Sequence, residues 1–224
     1  MILNIAHNIQ ELKKSIPDHV RIVTVSKMQP VSALNEAYQA GNRIFGENKT
    51  RELVLKHAQL PSDIHWHFIG HLQSNKVKYL ASFISLIHSI DSLNLLKEVN
   101  KEAFKYNRVI DCLLQFHIAS EETKFGLDMA EARLILESDE YKKMANISIA
   151  GVMGMSSFSD DMNLVRQEFR NLHDYFVTLK SSYFTHSDSF KVLSMGMSGD
   201  YQIAIEEGSN MVRIGTAVFG ERQY

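Results

Sequence analysis

The chain has 224 residues, 45% of them hydrophobic and 22% charged, with a net charge of −2. Three prolines and no Gly/Ser-rich tract leave little to build a linker, so one domain spanning 1–224 around one core is expected, and the composition excludes a disordered chain. The near-neutral balance supplies no field for nucleic acid or anionic lipid, and no apolar run approaches the ~18 residues of a membrane span.

Met1 to Ile16 carries Ile2, Ile5, Ile9, Leu12 and Ile16 at steps of three and four, which predicts an amphipathic helix and not a signal sequence. After Pro17, the β-branched run Val20 to Ser26 predicts a first strand. Pro30 opens a helix that Gly41 stops. Arg43 to Asn48 forms a second strand, followed by a helix to about Gln59. Ile64 to Gly70 is the third strand, with a helix from Gln73, and Phe83 to Ile90 is the fourth. Asp91 or Ser92 caps the next helix. Arg108 to Ala119 is the fifth strand, and a polar loop through Gly126 leads to a helix from Met129. Ile147 to Gly154 is the sixth, and Asp160 or Asp161 caps a helix reaching Tyr183. Phe190 to Gly196 is the seventh, Gly199 to Glu207 is helical, and Asn210 to Gly215 is the eighth. Eight short strands separated by helices point to a parallel (β/α)₈ barrel, with the extra N-terminal helix placed to cover one end. The rival is an open doubly wound sheet, but no G-x-G-x-x-G follows the first strand. The single cysteine, Cys112, lies mid-strand as an inert thiol that suits a reducing compartment, so the cytoplasm is the expected address.

In such a barrel, chemistry gathers on the loops after the strands. Lys27 stands at the end of the first strand, where a lysine can pair with an anion or, as an amine, form a Schiff base; taken alone it reads as a solvated loop residue. Ser198 after strand seven and Gly215-Thr216 after strand eight occupy the usual phosphate loops of this fold. Arg213 sits between Val212 and Ile214 inside an apolar strand, which is costly unless it meets a ligand or a structural carboxylate, and alternation turns it toward the barrel interior. A lysine, a phosphate cradle and an inward arginine together suggest a phosphorylated aldehyde, pyridoxal 5′-phosphate (PLP). An arginine against the pyridine nitrogen would leave that nitrogen unprotonated and weaken the ring as an electron sink.

The segments VSKMQP (Val25 to Pro30), FGEN (Phe45 to Asn48), WHFIGHLQSNK (Trp66 to Lys76), HSIDS (His88 to Ser92), EETKFG (Glu121 to Gly126), GVMGM (Gly151 to Met155), LSMGMSGD (Leu193 to Asp200) and VRIGTAVFGER (Val212 to Arg222) carry a resemblance. Taken in order, they resemble the YggS/PROSC family of PLP homeostasis proteins over essentially the whole chain. The resemblance implies a single barrel like the N-terminal domain of alanine racemase (PLP fold type III). It implies PLP on Lys27, phosphate contacts from Ser198, Gly215 and Thr216, Arg213 near the pyridine nitrogen, and Asn48 beside the ring. Two departures flank motif cores: Met28 stands where many relatives have threonine, and His117 where many have asparagine. The resemblance also implies a carrier or regulator of free PLP, not an enzyme, with PLP-dependent apoenzymes as partners; a monomer is expected.

Two rivals bear on this expectation. A racemase-like PLP enzyme needs a second acid/base on the other cofactor face, and with a single domain expected none is expected to supply it; Tyr224 would have to fold back. A metal hydrolase could use His65, His67 and His71, but no acidic residue ends strand eight to complete a ligand set. No metal site is expected.

Overall fold

The computed structural model describes residues 4–120 and 125–220. Eight parallel strands close into a barrel in sequence order: β1 (Arg21–Val25), β2 (Ile44–Glu47), β3 (His65–Phe68), β4 (Leu86–Ile90), β5 (Ile110–His117), β6 (Ile147–Met155), β7 (Val192–Ser194) and β8 (Met211–Ile214). The sheet closes where β1 pairs with β8, Arg21 beside Met211 and Thr24 beside Ile214. Helices α2 (Val31–Gln39), α3 (Thr50–His57), α4 (Leu93–Lys105), α5 (Met129–Glu137), α6 (Asp139–Lys142), α7 (Met162–Tyr183), α8 (Tyr201–Glu206) and α9 (Thr216–Phe219) follow their strands. The predicted helix after β3 is instead a short 3₁₀ segment, Ser74–Tyr79. Of the alternative caps, Ser92 accepts from the Leu95 N–H and Asp161 from Asn163 and Leu164, while Asp128 and Glu131 form a reciprocal capping box.

The N-terminal helix α1 (Ile5–Ser15) is not an end plug. It packs against α2 and α9, tied by the Ile5 N–H to Glu36 and by Asn8 Nδ2 to the Val218 carbonyl. With α9 only four residues long, α1 completes the outer helical ring beside β1.

Strand residues alternate between the two faces of the barrel wall. Val23, Leu86, Leu113, Ala150, Met153, Val192 and Met211 pack together inside the barrel. Phe45, Trp66, Phe68 and Phe116 point outward into the main core under the helices, each contributing about 1.5–3 kcal/mol by burial. Arg213, two residues past Met211, continues the inward face.

The register between β5 and β6 slips by one residue: Cys112 opposes Ile149, but Leu113 opposes Gly151. Gly151 takes φ +151°, and a Cβ there would sit 1.8 Å from the Val192 carbonyl oxygen. Gly151→Ala is therefore expected to destabilise the barrel by about 3–5 kcal/mol or to prevent folding. Urea denaturation checks this, and an unchanged midpoint would show that the strand can shift to make room.

Candidate functional site

The C-terminal ends of the strands open onto a cleft of about 720 Å³, lined by all six residues singled out from the sequence: Lys27, Asn48, Ser198, Arg213, Gly215 and Thr216. They reach it from four different strand ends, because a closed parallel barrel points every strand's C-terminus to one face.

Arg213 is buried, with 4% exposure. Its Nη1 donates to the Ser194 carbonyl (2.9 Å) and Ser194 Oγ (2.8 Å), and Nη2 donates to the Gly154 carbonyl (2.9 Å). No carboxylate among the described residues forms an ion pair with it, so the structural salt bridge considered from sequence is not there. Burial lowers its pKa to about 10, opposed by the charge of Asp200, so it stays protonated at neutral pH. A buried cation whose protein acceptors are all neutral is set up to meet an acceptor on a ligand.

At the other end of the cleft, the Gly215 N–H donates to Ser198 Oγ (3.3 Å), joining the loops after β7 and β8. The backbone N–H groups of Ser198, Gly199 and Thr216 find no acceptor among the described residues. With the Ser198 and Thr216 hydroxyls they make a cluster of donors suited to a phosphate. The predicted helix from Gly199 starts later, at Tyr201. Asp200 does not cap it by side chain. Its Oδ1 takes the Met197 N–H (2.5 Å) and its Oδ2 accepts from Ser156 Oγ (2.8 Å), which fixes the turn that presents Ser198 and Gly199.

Asn48 lines the cleft with Gly70 packed close against its backbone: a Cβ at Gly70 would lie 2.5 Å from the Asn48 carbonyl oxygen. The sequence reading missed Gln115, a buried cleft residue whose Nε2 donates to the Phe125 carbonyl (2.8 Å). It also passed over His71 as part of the site; this residue stacks on Phe125 at 4.2 Å and pairs with Asp91. The signal for Gln115 was the one used for Arg213, a polar residue inside an apolar strand. Glu121, Glu122, Lys124 and Tyr224 lie outside the described residues.

The three histidines of the metal alternative do not converge. His65 is exposed on the surface and His71 lies at the cleft mouth. His67 lies inside the barrel, where its Nδ1 is 3.0 Å from His88 Nε2, and His88 Nδ1 is 3.1 Å from Ser194 Oγ. Among the described residues no group of three potential ligands could hold a metal ion. Arg213 can only donate, so Ser194 Oγ accepts from it. The direction of the Ser194–His88 and His88–His67 bonds follows the imidazole tautomers.

Burial holds both imidazoles neutral: it takes the His67 pKa down to about 3 and His88 well below its ordinary value, aided by the charges of Arg213 and Arg21 around His88. In the unfolded chain both bind protons near pH 6.5. The unfolded state therefore gains protons as pH falls, and stability that is complete above that value is lost toward pH 3. Each imidazole accounts for about 1.4 kcal/mol per pH unit. Urea titrations at about pH 6 and about pH 4 should show this slope, flattened in a His67→Gln, His88→Gln variant. An equal slope in the variant would refute the assignment.

The family model described as "Alanine racemase, N-terminal domain" matches residues 2–223. The curated "Pyridoxal phosphate homeostasis protein" of Aquifex aeolicus is 40% identical over 206 residues, covering 91% of this chain and 88% of the relative. The protein of the same name from Escherichia coli K12 is 34% identical over 235 residues, covering 99% and 98%. Among solved structures, PipY of Synechococcus elongatus without PLP superposes with a TM-score of 0.90 at 32% identity, covering 96% of this chain and 100% of that one. The PipY structure with PLP bound gives 0.87 at 31%, with the same coverage. Alanine racemase of Clostridium difficile matches at 0.76 and 13% identity, covering 99% of this chain and 57% of that chain, a likeness of fold alone.

Proposed function

The chain belongs to the pyridoxal phosphate homeostasis protein family, built on the alanine racemase N-terminal fold, and from that premise we propose that it carries PLP, held as a Schiff base on Lys27, and acts in PLP homeostasis without catalytic turnover. The observation that carries this reading is Arg213, a buried cation whose acceptors among the described residues are all neutral, sharing one cleft with Lys27 and a cluster of backbone N–H donors that find no acceptor among the described residues. When bound, the cofactor supplies an aldehyde for an amine to capture and a phosphate dianion. Lys27 supplies the amine. Ser198 and Thr216 would hold the phosphate through N–H and O–H donors, Gly215 would draw the two loops together through its N–H to Ser198 Oγ, and Asn48 would flank the ring. Arg213, protonated and donating, would meet the pyridine nitrogen and leave it unprotonated, which would limit carbanion chemistry. The cleft opens to solvent, which favours exchange of the ligand over protection of a reactive carbanion.

The same reading takes the protein as a cytoplasmic monomer that serves PLP-dependent apoenzymes. Among the described residues no helix is long and apolar enough to cross a membrane, and the curated relatives include bacterial proteins with the homeostasis name.

The test is α-proton exchange of several amino acids in heavy water by the PLP-loaded protein, with a chiral assay alongside. Exchange far below the ~1 s⁻¹ of ordinary enzymes is expected. Faster exchange, lost in Lys27→Ala, would replace the carrier by a racemase-like enzyme. Among the described residues no tyrosine lines the cleft to act opposite Lys27.

A further inference from the structure

Behind the barrel wall, on the side away from the cleft, lies a buried ionic cluster that no step above uses. Lys56 on α3 is 5% exposed and spends three donated bonds there: to Glu47 Oε1, to Glu52 Oε1 and to the Ser26 carbonyl, each at 2.7 Å. Ser26 Oγ donates to the same Glu47 oxygen at 2.6 Å. Glu52 Oε1 also takes the Met28 N–H at 2.6 Å. Ser26 and Met28 are the two chain neighbours of Lys27. Met28 stands at φ +65°, a left-handed conformation that a non-glycine residue avoids unless its surroundings impose it.

We infer that Lys56 and Glu52 are positioning residues that grip the peptide groups on both sides of Lys27 and impose the left-handed turn that presents its amine to the cleft. This inference rests on Lys27 as the capturing amine. A buried ion pair is costly to assemble, and this one is spent on the backbone of a single turn. Glu47 anchors the cluster: its carboxylate is fully buried, and its Oε2 has no hydrogen-bond partner. Glu52 is the arm that reaches Met28. Because Glu52 is partly exposed (23%) and Lys56 keeps two acceptors without it, its replacement leaves the rest of the cluster bonded.

Two ligands separate positioning from general damage. PLP binding reads the amine and the cradle together, and pyridoxine 5′-phosphate, which has no aldehyde, reads the cradle alone. Glu52→Ala should slow and weaken PLP capture about tenfold while leaving pyridoxine 5′-phosphate affinity within twofold. Glu52→Gln, which keeps an oxygen acceptor for Met28, should stay near the unmutated protein. Met28→Gly placed in the Glu52→Ala background should recover most of the capture, since glycine reaches the left-handed region without strain. Equal loss of both ligands in Glu52→Ala, unaltered PLP capture, or no recovery with Met28→Gly would each overturn the inference. Borohydride labelling of the unmutated protein at another lysine would instead remove the Lys27 assignment beneath it.

Discussion

Lys27→Ala should lose the visible Schiff-base absorption of the PLP-loaded protein completely, with borohydride labelling falling to background. The expectation follows from the cleft: Lys27 is the one lysine among its described lining residues, two positions past β1 and in the same cavity as the phosphate donors and Arg213. No other described amine is placed to take over. Removing the side chain leaves the phosphate cluster in place, so the variant should still bind PLP weakly and reversibly, and dialysis should strip it. Peptide mapping of the reduced, unmutated protein supplies the direct check. Label on Lys76, which lies in a neighbouring pocket beside Asn48 and His71, or on Lys124 would show that capture occurs elsewhere.

The second large effect concerns the phosphate. Hydrogen bonds to a charged group are worth roughly 1.5–3 kcal/mol each, so Ser198→Ala with Thr216→Val could weaken PLP by roughly 10²–10⁴. The structure argues for the lower end. Ser198 Oγ already accepts from the Gly215 N–H, so its removal frees that N–H to turn to the phosphate and offset part of the loss. About a hundredfold loss for PLP is expected, with pyridoxal, which lacks the phosphate, changed by less than a few fold. Titration of the double variant with both ligands decides it, and equal losses would remove the two hydroxyls from the phosphate role.

Much of this arrangement can be read from the chain because two signals are local. Each strand is a short apolar run with a helix after it, and Arg213 is a charge inside such a run. Strand ends are less legible. Phe83 to Ser85 and Phe190 to Lys191 look like strand in sequence but lie outside β4 and β7, because pairing with a neighbour, not residue type, decides where a ladder stops. The sequence also hides what needs distant partners. His67, His88 and Ser194 each break an apolar strand as Arg213 does, yet their connection depends on β3 lying beside β4 and on β4 facing β7 across the barrel interior, with partners 21 and 106 residues apart. The cluster behind Lys27 is hidden for the same reason: Lys56 meets the Ser26 carbonyl across 30 residues, and nothing in the local pattern around either residue marks the pairing.

The barrel seam joins β1 to β8, and those strands lead into Lys27 and Thr216 while β8 itself holds Arg213. During synthesis Lys27 is therefore among the first cleft residues made, whereas Arg213, Gly215 and Thr216 arrive with the eighth strand. Without β8 between β7 and β1 the barrel has a gap at its seam. On the proposed assignment, a chain short of β8 lacks the buried cation and part of the donors for the phosphate.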